Sequence, residues 1–256
     1  MRMITELSKS KTSLIRSLSV KKYRQENNLF VAEGYKIISE ILNSDYKIKY
    51  LIYNETKEIP SASGDFEIII TDESGMKKIS NLKTTPGVLA VVEIPIQSIQ
   101  IQSLKDNLTM VVEDIQDPGN LGTLLRICDW FGIENLICSH HSADVYNPKV
   151  IQASMGAFLR INVQYTDLPN FILEYKETTG HSCFGTFLEG ENIYTSNLPQ
   201  SGLFILGNEG NGISVEVEAL VDKKIHIPSF SAGEIHAESL NISVAAAIVA
   251  SEFRRR

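Results

Sequence analysis

The sequence lacks the features that mark secreted, membrane and metal-binding proteins. Its three cysteines, Cys128, Cys138 and Cys183, have no paired spacing, and no cysteine–histidine pattern of a zinc site is present. No run of 18 apolar residues occurs, which argues against a membrane-spanning helix. The first residues, MRMITELSKSK, lack the apolar core of a signal peptide. We therefore expect reduced thiols, no metal, no membrane association and a cytoplasmic location.

The two common nucleotide-binding motifs are missing as well. The glycine-rich stretch LGNEGNG at residues 206–212 reads G-x-x-G-x-G, whereas dinucleotide-binding folds carry G-x-G-x-x-G. No Gly-Lys-Ser/Thr follows it, so a phosphate-binding P-loop is also absent from the sequence. These absences argue against nicotinamide cofactors and nucleoside triphosphates as ligands. We find no internal repeat and no low-complexity tract.

The chain length and the order of its apolar runs predict two α/β domains. At 256 residues, 43% of them hydrophobic, the chain suits one large domain or two smaller ones. Residues 93–107 have no clear period and include Pro95, which is typical of a connection between domains. We therefore predict a smaller first domain over residues 1–97, a linker over 98–107 and a second domain over 108–256.

Strand-like and helical runs alternate in both predicted domains. In the first domain we predict helices over 12–24, 35–42 and 73–82, and strands over 29–31, 50–53, 67–70 and 87–92. In the second we predict strands over 108–112, 135–138, 161–164, 183–187, 203–206 and 224–227. Its helices are predicted after Asn120, over 149–158, 170–178 and 241–253, with a short one after Ser214. This order predicts an open, mostly parallel sheet with its ligand at the carboxyl ends of the strands.

The segment VEDIQDPGNLGTLLRICDWFG, residues 112–132, organises the second domain. Asp117-Pro118-Gly119 breaks the strand, and we predict Asn120 as the N-cap of the following helix. Arg126 lies off the apolar face near the helix start, where anions are often bound. We predict Asp129 as its solvent-side partner. The alternative is that Asn120 only caps the helix and Arg126 only faces solvent.

Two further segments carry polar residues beside predicted strand ends. The glycines around Glu209 allow a backbone to approach a ligand closely, although an ordinary turn is the alternative. The third segment is IHIP, residues 225–228, followed by ESLN, residues 238–241, at the start of the final helix. In this segment Ser239 or Asn241 could act simply as an N-cap.

Charge is distributed unevenly along the chain. The net charge of −7 argues mildly against nucleic acid as a partner. Residues 1–24, however, hold seven basic residues against one acidic residue, a net charge of +6, which leaves −13 for the remainder. Such a basic segment can bind phosphate locally, and its candidate RNA contacts are Arg16, Lys21, Lys22 and Arg24. The alternative is a solvated terminus without a binding role.

Together, the three segments resemble one enzyme family. D-P-G-N-L-G-x-x-x-R, L-G-N-E-G-x-G, and I-x-I-P with S-L-N-x-S-V-A-A occur in the order and spacing of the SpoU (TrmH-like) RNA ribose 2′-O-methyltransferases of the SPOUT superfamily. This resemblance covers residues 108–253. In the first domain, S-L-x-x-K-K-Y-R, L-F-V-A-E-G and T-P-G-V-L-A-V-V are similar to an L30e-like substrate-binding domain.

The resemblance implies a fold, an activity and a cofactor. The expected fold is a C-terminal Rossmann-like parallel sheet with a deep trefoil knot, preceded by a smaller L30e-like α/β domain. The expected activity is S-adenosylmethionine-dependent methylation of a ribose 2′-hydroxyl in structured RNA, ribosomal rather than transfer RNA, by a homodimer. Two alternatives are a catalytically silent RNA-binding protein of the same fold and a small-molecule nucleotide-binding protein.

The resemblance also implies roles for particular residues. Its catalytic positions fall on Arg126, Asn120, Glu209, Ser239 and Asn241. Its cofactor positions fall on Gly207, Ile227 and Leu240, with Leu206 and Thr186 as further candidates. Because guanidinium stays protonated in proteins, we expect Arg126 to clamp the ribose and its phosphate, held by Asn120 and Glu209. Residues 228–238 depart from the family pattern, since they lack its methionine and form a longer segment.

Overall fold

The computed structural model describes residues 4–55, 64–96, 98–231 and 238–255. The chain forms two compact units. The first consists of the chain up to Ile96 together with Asp144–Leu159, and the second holds the intervening residues to Ala143 and those from Arg160 onward. Within the described ranges, every helix is too short or too polar to span a membrane.

The first unit is built on a mixed five-stranded sheet. Its elements are β1 (Ile4–Glu6), α1 (Lys9–Ser17), α2 (Lys21–Asn27), β2 (Leu29–Glu33), α3 (Tyr35–Leu42), β3 (Ile48–Asn54), β4 (Glu67–Thr71), α4 (Glu73–Ile79) and β5 (Val88–Glu93). The strand order is β1-β4-β3-β5-β2. β4 runs parallel to β1 and β3, whereas β5 runs antiparallel to β3 and β2. The interior strands β3 and β5 are rich in buried apolar residues, several of which belong to the core of this unit.

The second unit is built on a parallel six-stranded sheet. The elements that follow β5 in the chain are β6 (Leu108–Val112), α5 (Pro118–Trp130), β7 (Asn135–Ser139), α6 (Pro148–Ser154), β8 (Asn162–Thr166), α7 (Leu168–Thr179), β9 (Cys183–Asn192), β10 (Gly202–Leu206), α8 (Val215–Glu218), β11 (Lys223–His226) and α9 (Ile242–Arg254). The strand order is β11-β9-β10-β6-β7-β8, and every neighbouring pair is parallel. The predicted parallel α/β sheet is therefore confirmed.

The segment predicted as a linker packs into the second unit. Residues Ile101–Leu104 form a short 3₁₀ helix, and the side chains of Ile101 and Leu104 lie in the same apolar core as Phe171 and Tyr175 of α7. The backbone N–H of Ile99 donates to Gln164 Oε1 at 2.9 Å. The linker interpretation is wrong for this stretch because Ile101 and Leu104 are buried in this core and Ile99 packs against it, although the sequence of the stretch shows no clear period.

The segment Asp144–Leu159 packs with the first unit, although the sequence places it in the second domain. The Tyr146 and Phe158 rings lie against Phe30, with centroids 4.7 Å and 5.9 Å away. The predicted helix over 149–158 begins at Pro148, after the N-cap Asn147, and ends at Ser154. It ends early because Met155 and Gly156 both adopt positive φ, 52° and 92°.

From Ile4 onward, the basic N-terminal segment is a folded part of the first unit. Its predicted single helix divides into α1 and α2, because the chain turns at Leu18, whose side chain is fully buried. Arg24 is only 2% exposed and is therefore no surface contact for RNA, which corrects the prediction. Its guanidinium donates to Asp144 Oδ2 at 2.5 and 2.9 Å and to the carbonyls of Leu18 and Ser19 at 2.8 and 3.0 Å.

We predict that Arg24→Ala strongly destabilises the first unit. The substitution leaves the Asp144 carboxylate without its cation in a largely buried position, and breaking such a pair costs about 3–5 kcal/mol of unfolding free energy. Urea denaturation followed by circular dichroism measures the loss. The matched control is Arg16→Ala, since Arg16 is exposed. Equal midpoints for the two variants would contradict a structural role for Arg24.

Candidate functional site

Strands β6 and β10 are neighbours in the sheet of the second unit, and both end at the same edge of it. The two strands pair in parallel with Val112 opposite Leu206, so the loops that follow them begin at the same edge. The loop after β6 leads into α5, and the loop after β10 carries the glycine-rich turn. The loop that carries Asn120 and the turn that carries Glu209 therefore begin close together, as the parallel sheet predicts.

The N-cap of α5 is Asp117, not Asn120. Asp117 Oδ1 accepts from the backbone N–H of Asn120 at 2.8 Å, and Pro118 occupies the first helical position. Proline suits that position because it lacks a backbone N–H, and its preference makes the preceding aspartate the cap. The Asn120 carboxamide is thereby free to reach other loops, and Arg126 lies in the third turn of α5.

Asn120 joins the three motif segments through hydrogen bonds. Its Nδ2 donates to Glu209 Oε1 at 3.0 Å, and its Oδ1 accepts from Asn241 Nδ2 at 3.1 Å. Asn241 is also the N-cap of α9, since its Oδ1 accepts from the backbone N–H of Ser243 at 2.9 Å. Three residues that are far apart in sequence thus form one polar cluster, Asn120–Glu209–Asn241.

Ser243 is a member of this region that sequence reasoning missed. Its Oγ donates to the Asn120 carbonyl at 3.4 Å and lies 3.5 Å from Asn120 Oδ1. Ser243 is the last residue of the motif S-L-N-x-S, and its place in this motif is the sequence signal for a role in the site. A serine in the first turn of a helix is common, so the pattern did not distinguish it from an ordinary helical residue.

Arg126 lies outside this polar cluster. Its side chain is exposed, and no hydrogen bond or ion pair holds it within the described part of the chain. The expected holders, Asn120 and Glu209, bond to each other instead. Asp129, the predicted partner of Arg126, pairs with Arg160 at 2.8 and 2.9 Å. Arg126 is thus available for a ligand.

The remaining catalytic candidate, Ser239, is exposed at the end of the segment that precedes α9. Among the residues that the structure describes, its side chain makes no hydrogen bond. Most of the atypical segment before it, residues 232–237, lies outside the described residues.

The glycine-rich turn brings two parts of the backbone unusually close. A side-chain carbon added at Gly207 would lie 2.1 Å from the carbonyl carbon of Gly212, so only glycine fits there. Asn208 and Gly212 exchange backbone hydrogen bonds of 2.9 and 3.0 Å, which close the turn. Glu209 stands exposed at its tip.

The cofactor candidates suit a ligand held by backbone groups and apolar contacts. Leu206 is buried, Ile227 is half-buried and Leu240 is half-exposed, whereas the Thr186 hydroxyl already donates to the Ile205 carbonyl at 3.0 Å. At the end of β11, beside Ile227, the buried Nδ1 of His226 has no partner among the described residues. A ligand with polar atoms would satisfy it.

The site offers no metal or thiol chemistry within the described residues. No cluster of histidine, cysteine or acidic side chains there could hold a metal ion. Burial raises the pKa of the Cys183 thiol to about 12, and it raises the pKa of Cys128 and Cys138 as well. All three cysteines are therefore protonated, buried thiols at neutral pH.

The chain matches two protein-family models. Residues 107–251 match the model described as the SpoU rRNA Methylase family, which covers the second unit almost entirely. Residues 9–90 match a model described as an MRM3-like substrate binding domain.

Relatives of known name or structure match nearly the full chain. A Bacillus subtilis protein named 23S rRNA (guanosine(2553)-2′-O)-methyltransferase RlmP is 28% identical over 99% of this chain and 100% of its own length. A solved structure from Porphyromonas gingivalis, described as an RNA methyltransferase of the TrmH family, is 35% identical with a TM-score of 0.89 and covers 97% and 98% of the two chains. The SpoU methyltransferase AviRb from Streptomyces viridochromogenes, solved with AdoMet, is 24% identical with a TM-score of 0.85 over 97% and 98%, and shares the fold.

Proposed function

The chain belongs to the SpoU rRNA methylase family, and from this premise we propose that it methylates a ribose 2′-hydroxyl of ribosomal RNA in the cytoplasm, with S-adenosylmethionine as methyl donor. The observation that carries the proposal is the Asn120–Glu209–Asn241 cluster, which unites all three family motifs at one edge of the sheet. All five polar motif positions are present, which disfavours a catalytically silent relative.

Large-subunit ribosomal RNA is the proposed substrate. The full-length Bacillus subtilis relative is named for 23S rRNA, and the first unit matches a substrate-binding domain. Mapping of 2′-O-methyl marks on 23S, 16S and transfer RNA from wild-type and deletion strains tests this proposal. We expect one mark to disappear from 23S rRNA, and unchanged 23S marks would contradict the assignment.

The residues of the polar cluster position the reacting hydroxyl. A ribose 2′-hydroxyl is a poor nucleophile, so the enzyme must orient it toward the methyl group and help it to lose its proton. When bound, S-adenosylmethionine supplies an electrophilic methyl group on a sulfonium. Glu209 has one oxygen bonded to Asn120, which leaves its other oxygen to accept from a substrate hydroxyl. Ser239 and Asn241 complete the polar lining.

Arg126 is the proposed clamp on the ribose and its adjacent phosphate. It is exposed and carries a planar guanidinium that can contact phosphate through two donors. It remains protonated, so its role is to stabilise negative charge that develops on the hydroxyl oxygen. The absence of an internal partner among the described residues suits a side chain that engages RNA.

We predict that Arg126→Ala lowers the single-turnover methylation rate by about 10²–10³, because one preorganised charge contact is lost. Arg126→Lys should recover little of the rate, since an ammonium cannot make the two-pronged contact. Cofactor affinity, measured by calorimetry, should stay unchanged. The matched control is Arg160→Ala, which removes another exposed arginine beside α5. A fully active Arg126→Ala enzyme would remove this residue from the mechanism.

The cofactor is proposed to bind against Gly207, Ile227 and Leu240, with Leu206 and Thr186 nearby and without a metal. Two observations support this placement: the close backbone approach at Gly207, and the buried His226 Nδ1, for which the described residues provide no partner. The family's deep trefoil knot, which we also propose for this chain, rests on family membership.

We predict that Gly207→Ala abolishes S-adenosylmethionine binding, because the added carbon would collide with the backbone of Gly212 and displace the turn. Gly210→Ala is the matched control, since its added carbon would meet only Asn208 Oδ1 at 3.5 Å, an ordinary contact. Calorimetry in the presence of a chelator measures both. Normal binding by Gly207→Ala, or wild-type binding that the chelator removes, would overturn the placement.

The exposed basic residues of the first unit are proposed RNA contacts. Arg16, Lys21 and Lys22 lie on the surface of α1 and α2, and Lys22 lies 3.8 Å from Glu26 in a solvent-exposed pair. Such a pair is weak in water, so a phosphate can compete for Lys22. Arg24 has no part in this surface.

We predict that replacing Lys21 and Lys22 by glutamine flattens the salt dependence of RNA binding. Each phosphate contact contributes about 0.7–0.9 to the slope of log affinity against log salt, so the slope should fall by about 1.5. The control replaces Lys77 and Lys78, an adjacent exposed pair whose Lys77 lies 3.8 Å from Glu73. Equal slopes in the wild type and the Lys21/Lys22 variant would show that these lysines do not contact RNA phosphates.

A homodimer is the proposed assembly. The proposal follows the family resemblance, and exposed apolar side chains on two contacting helices support it: Val244 of α9 is 48% exposed, and Trp130 at the end of α5 is 85% exposed. A partner that covers them would remove their apolar surface from water. We predict a dimer mass by light scattering at micromolar concentration and a monomer for Val244→Glu. A monomeric wild type would contradict the proposal.

A further inference from the structure

The turn that carries Glu209 is anchored by the side chain of the preceding residue, Asn208. Its Nδ2 donates to the backbone carbonyl of Asp114 at 2.7 Å. Its Oδ1 accepts from the backbone N–H groups of Gly210 and Asn211 at 2.9 and 3.0 Å. One carboxamide therefore both shapes the turn after β10 and ties it to the loop after β6.

The acceptor on the β6 side is itself rigidly held. Asp114 has a φ of 52°, a left-handed conformation that is uncommon for a residue other than glycine. Ser139, at the end of β7, stabilises it by donating to Asp114 Oδ1 at 2.6 Å and accepting from its backbone N–H at 2.8 Å. The Asp114 carbonyl is thus a fixed point to which Asn208 fastens the turn.

A second side chain supports the same junction. Glu113 Oε2 accepts from the backbone N–H of Ser214 at 2.9 Å, and the Glu113 N–H donates to the Leu206 carbonyl at 2.9 Å. These bonds hold the two ends of the turn region. Within the described part of the chain, Asn208 supplies the side-chain hydrogen bonds to the backbone of the tip, at Gly210 and Asn211, where glycine would otherwise permit many conformations.

We propose that Asn208 is a positioning residue, which fastens the Glu209 turn to the exit of β6 so that Glu209 Oε1 meets Asn120 at the reacting ribose. The inference rests on the proposed methyltransferase function. Asn208 acts through Glu209 and does not touch substrate. Because a misplacement of about 1 Å can cost about 10²-fold in rate, losing this anchor should slow methyl transfer while leaving the fold intact.

Two substitutions separate the two functions of the carboxamide. Asn208→Asp keeps an oxygen for the Gly210 and Asn211 N–H groups but loses the donor to Asp114 and sets a carboxylate against its carbonyl. Asn208→Ala removes both. The matched control is Asn107→Ala, because Asn107 Nδ2 also donates to a backbone carbonyl, that of Ser103 at 2.8 Å, at the opposite end of β6.

The test measures single-turnover methylation of 23S rRNA at saturating S-adenosylmethionine. We expect a loss on the order of 10²-fold for Asn208→Asp and Asn208→Ala and little change for Asn107→Ala. In a Glu209→Ala background, Asn208→Ala should change the rate by about twofold or less, because residues that act through one group are not additive.

Three results would count against the positioning role or against its premise. Near-normal rates for both Asn208 variants in an active wild-type assay would overturn it. So would an equal fold-loss with and without Glu209, since Asn208 would then act on something else. A wild-type enzyme that methylates no RNA would instead refute the proposed function. If Asn208→Ala fails to fold by circular dichroism, Asn208→Asp, which retains the turn bonds, decides the question.

Discussion

The hydrogen bond from Asn120 Nδ2 to Glu209 Oε1, at 3.0 Å, is the contact on which the arrangement of the candidate site depends. It exists because two adjacent parallel strands, β6 and β10, end at the same edge and release their loops side by side. Because Asp117 caps α5, the Asn120 side chain does not need to cap the helix and can bond to Glu209. The Asn208 carboxamide holds the turn that carries Glu209. Asn241 extends the contact to the start of α9. A carboxylate and two carboxamides thereby meet at one edge of the sheet, and the exposed Arg126 lies less than two turns further along α5.

Much of the second unit could be predicted from sequence because its signals are local. Apolar β-branched runs predict strands, and six of them alternating with helices predict a parallel sheet. The helix starts predicted at residue 149, in the segment that packs with the first unit, and after Ser214 agree with the structure to within one residue, since capping depends on neighbouring residues alone. Asn120, Glu209 and Asn241 could be expected at one edge, because the carboxyl ends of adjacent parallel strands meet there.

Most of the wrong predictions concern contacts between residues far apart in the chain, and one concerns a choice between neighbouring residues. Arg24 looks like a surface base among other bases, yet Asp144, distant in sequence, makes it a buried ion-pair partner. Residues 144–159 follow β7 in sequence but pack against Phe30 through aromatic rings. Both Asp117 and Asn120 suit the N-cap position of α5, and the preference of Pro118 for the first helical position makes Asp117 the cap. In each case a distant partner or a competing neighbour determines the outcome.

The proposed role of this cluster is to direct a methyl group to a ribose oxygen and not to a base. Its most direct test uses S-adenosylmethionine with a radioactive methyl group and 23S rRNA that lacks the modification, followed by alkaline hydrolysis. A methylated 2′-oxygen cannot attack the adjacent phosphate, so the label should appear in alkali-resistant dinucleotides. Label recovered in mononucleotides would place the methyl group on a base and rule out ribose methylation.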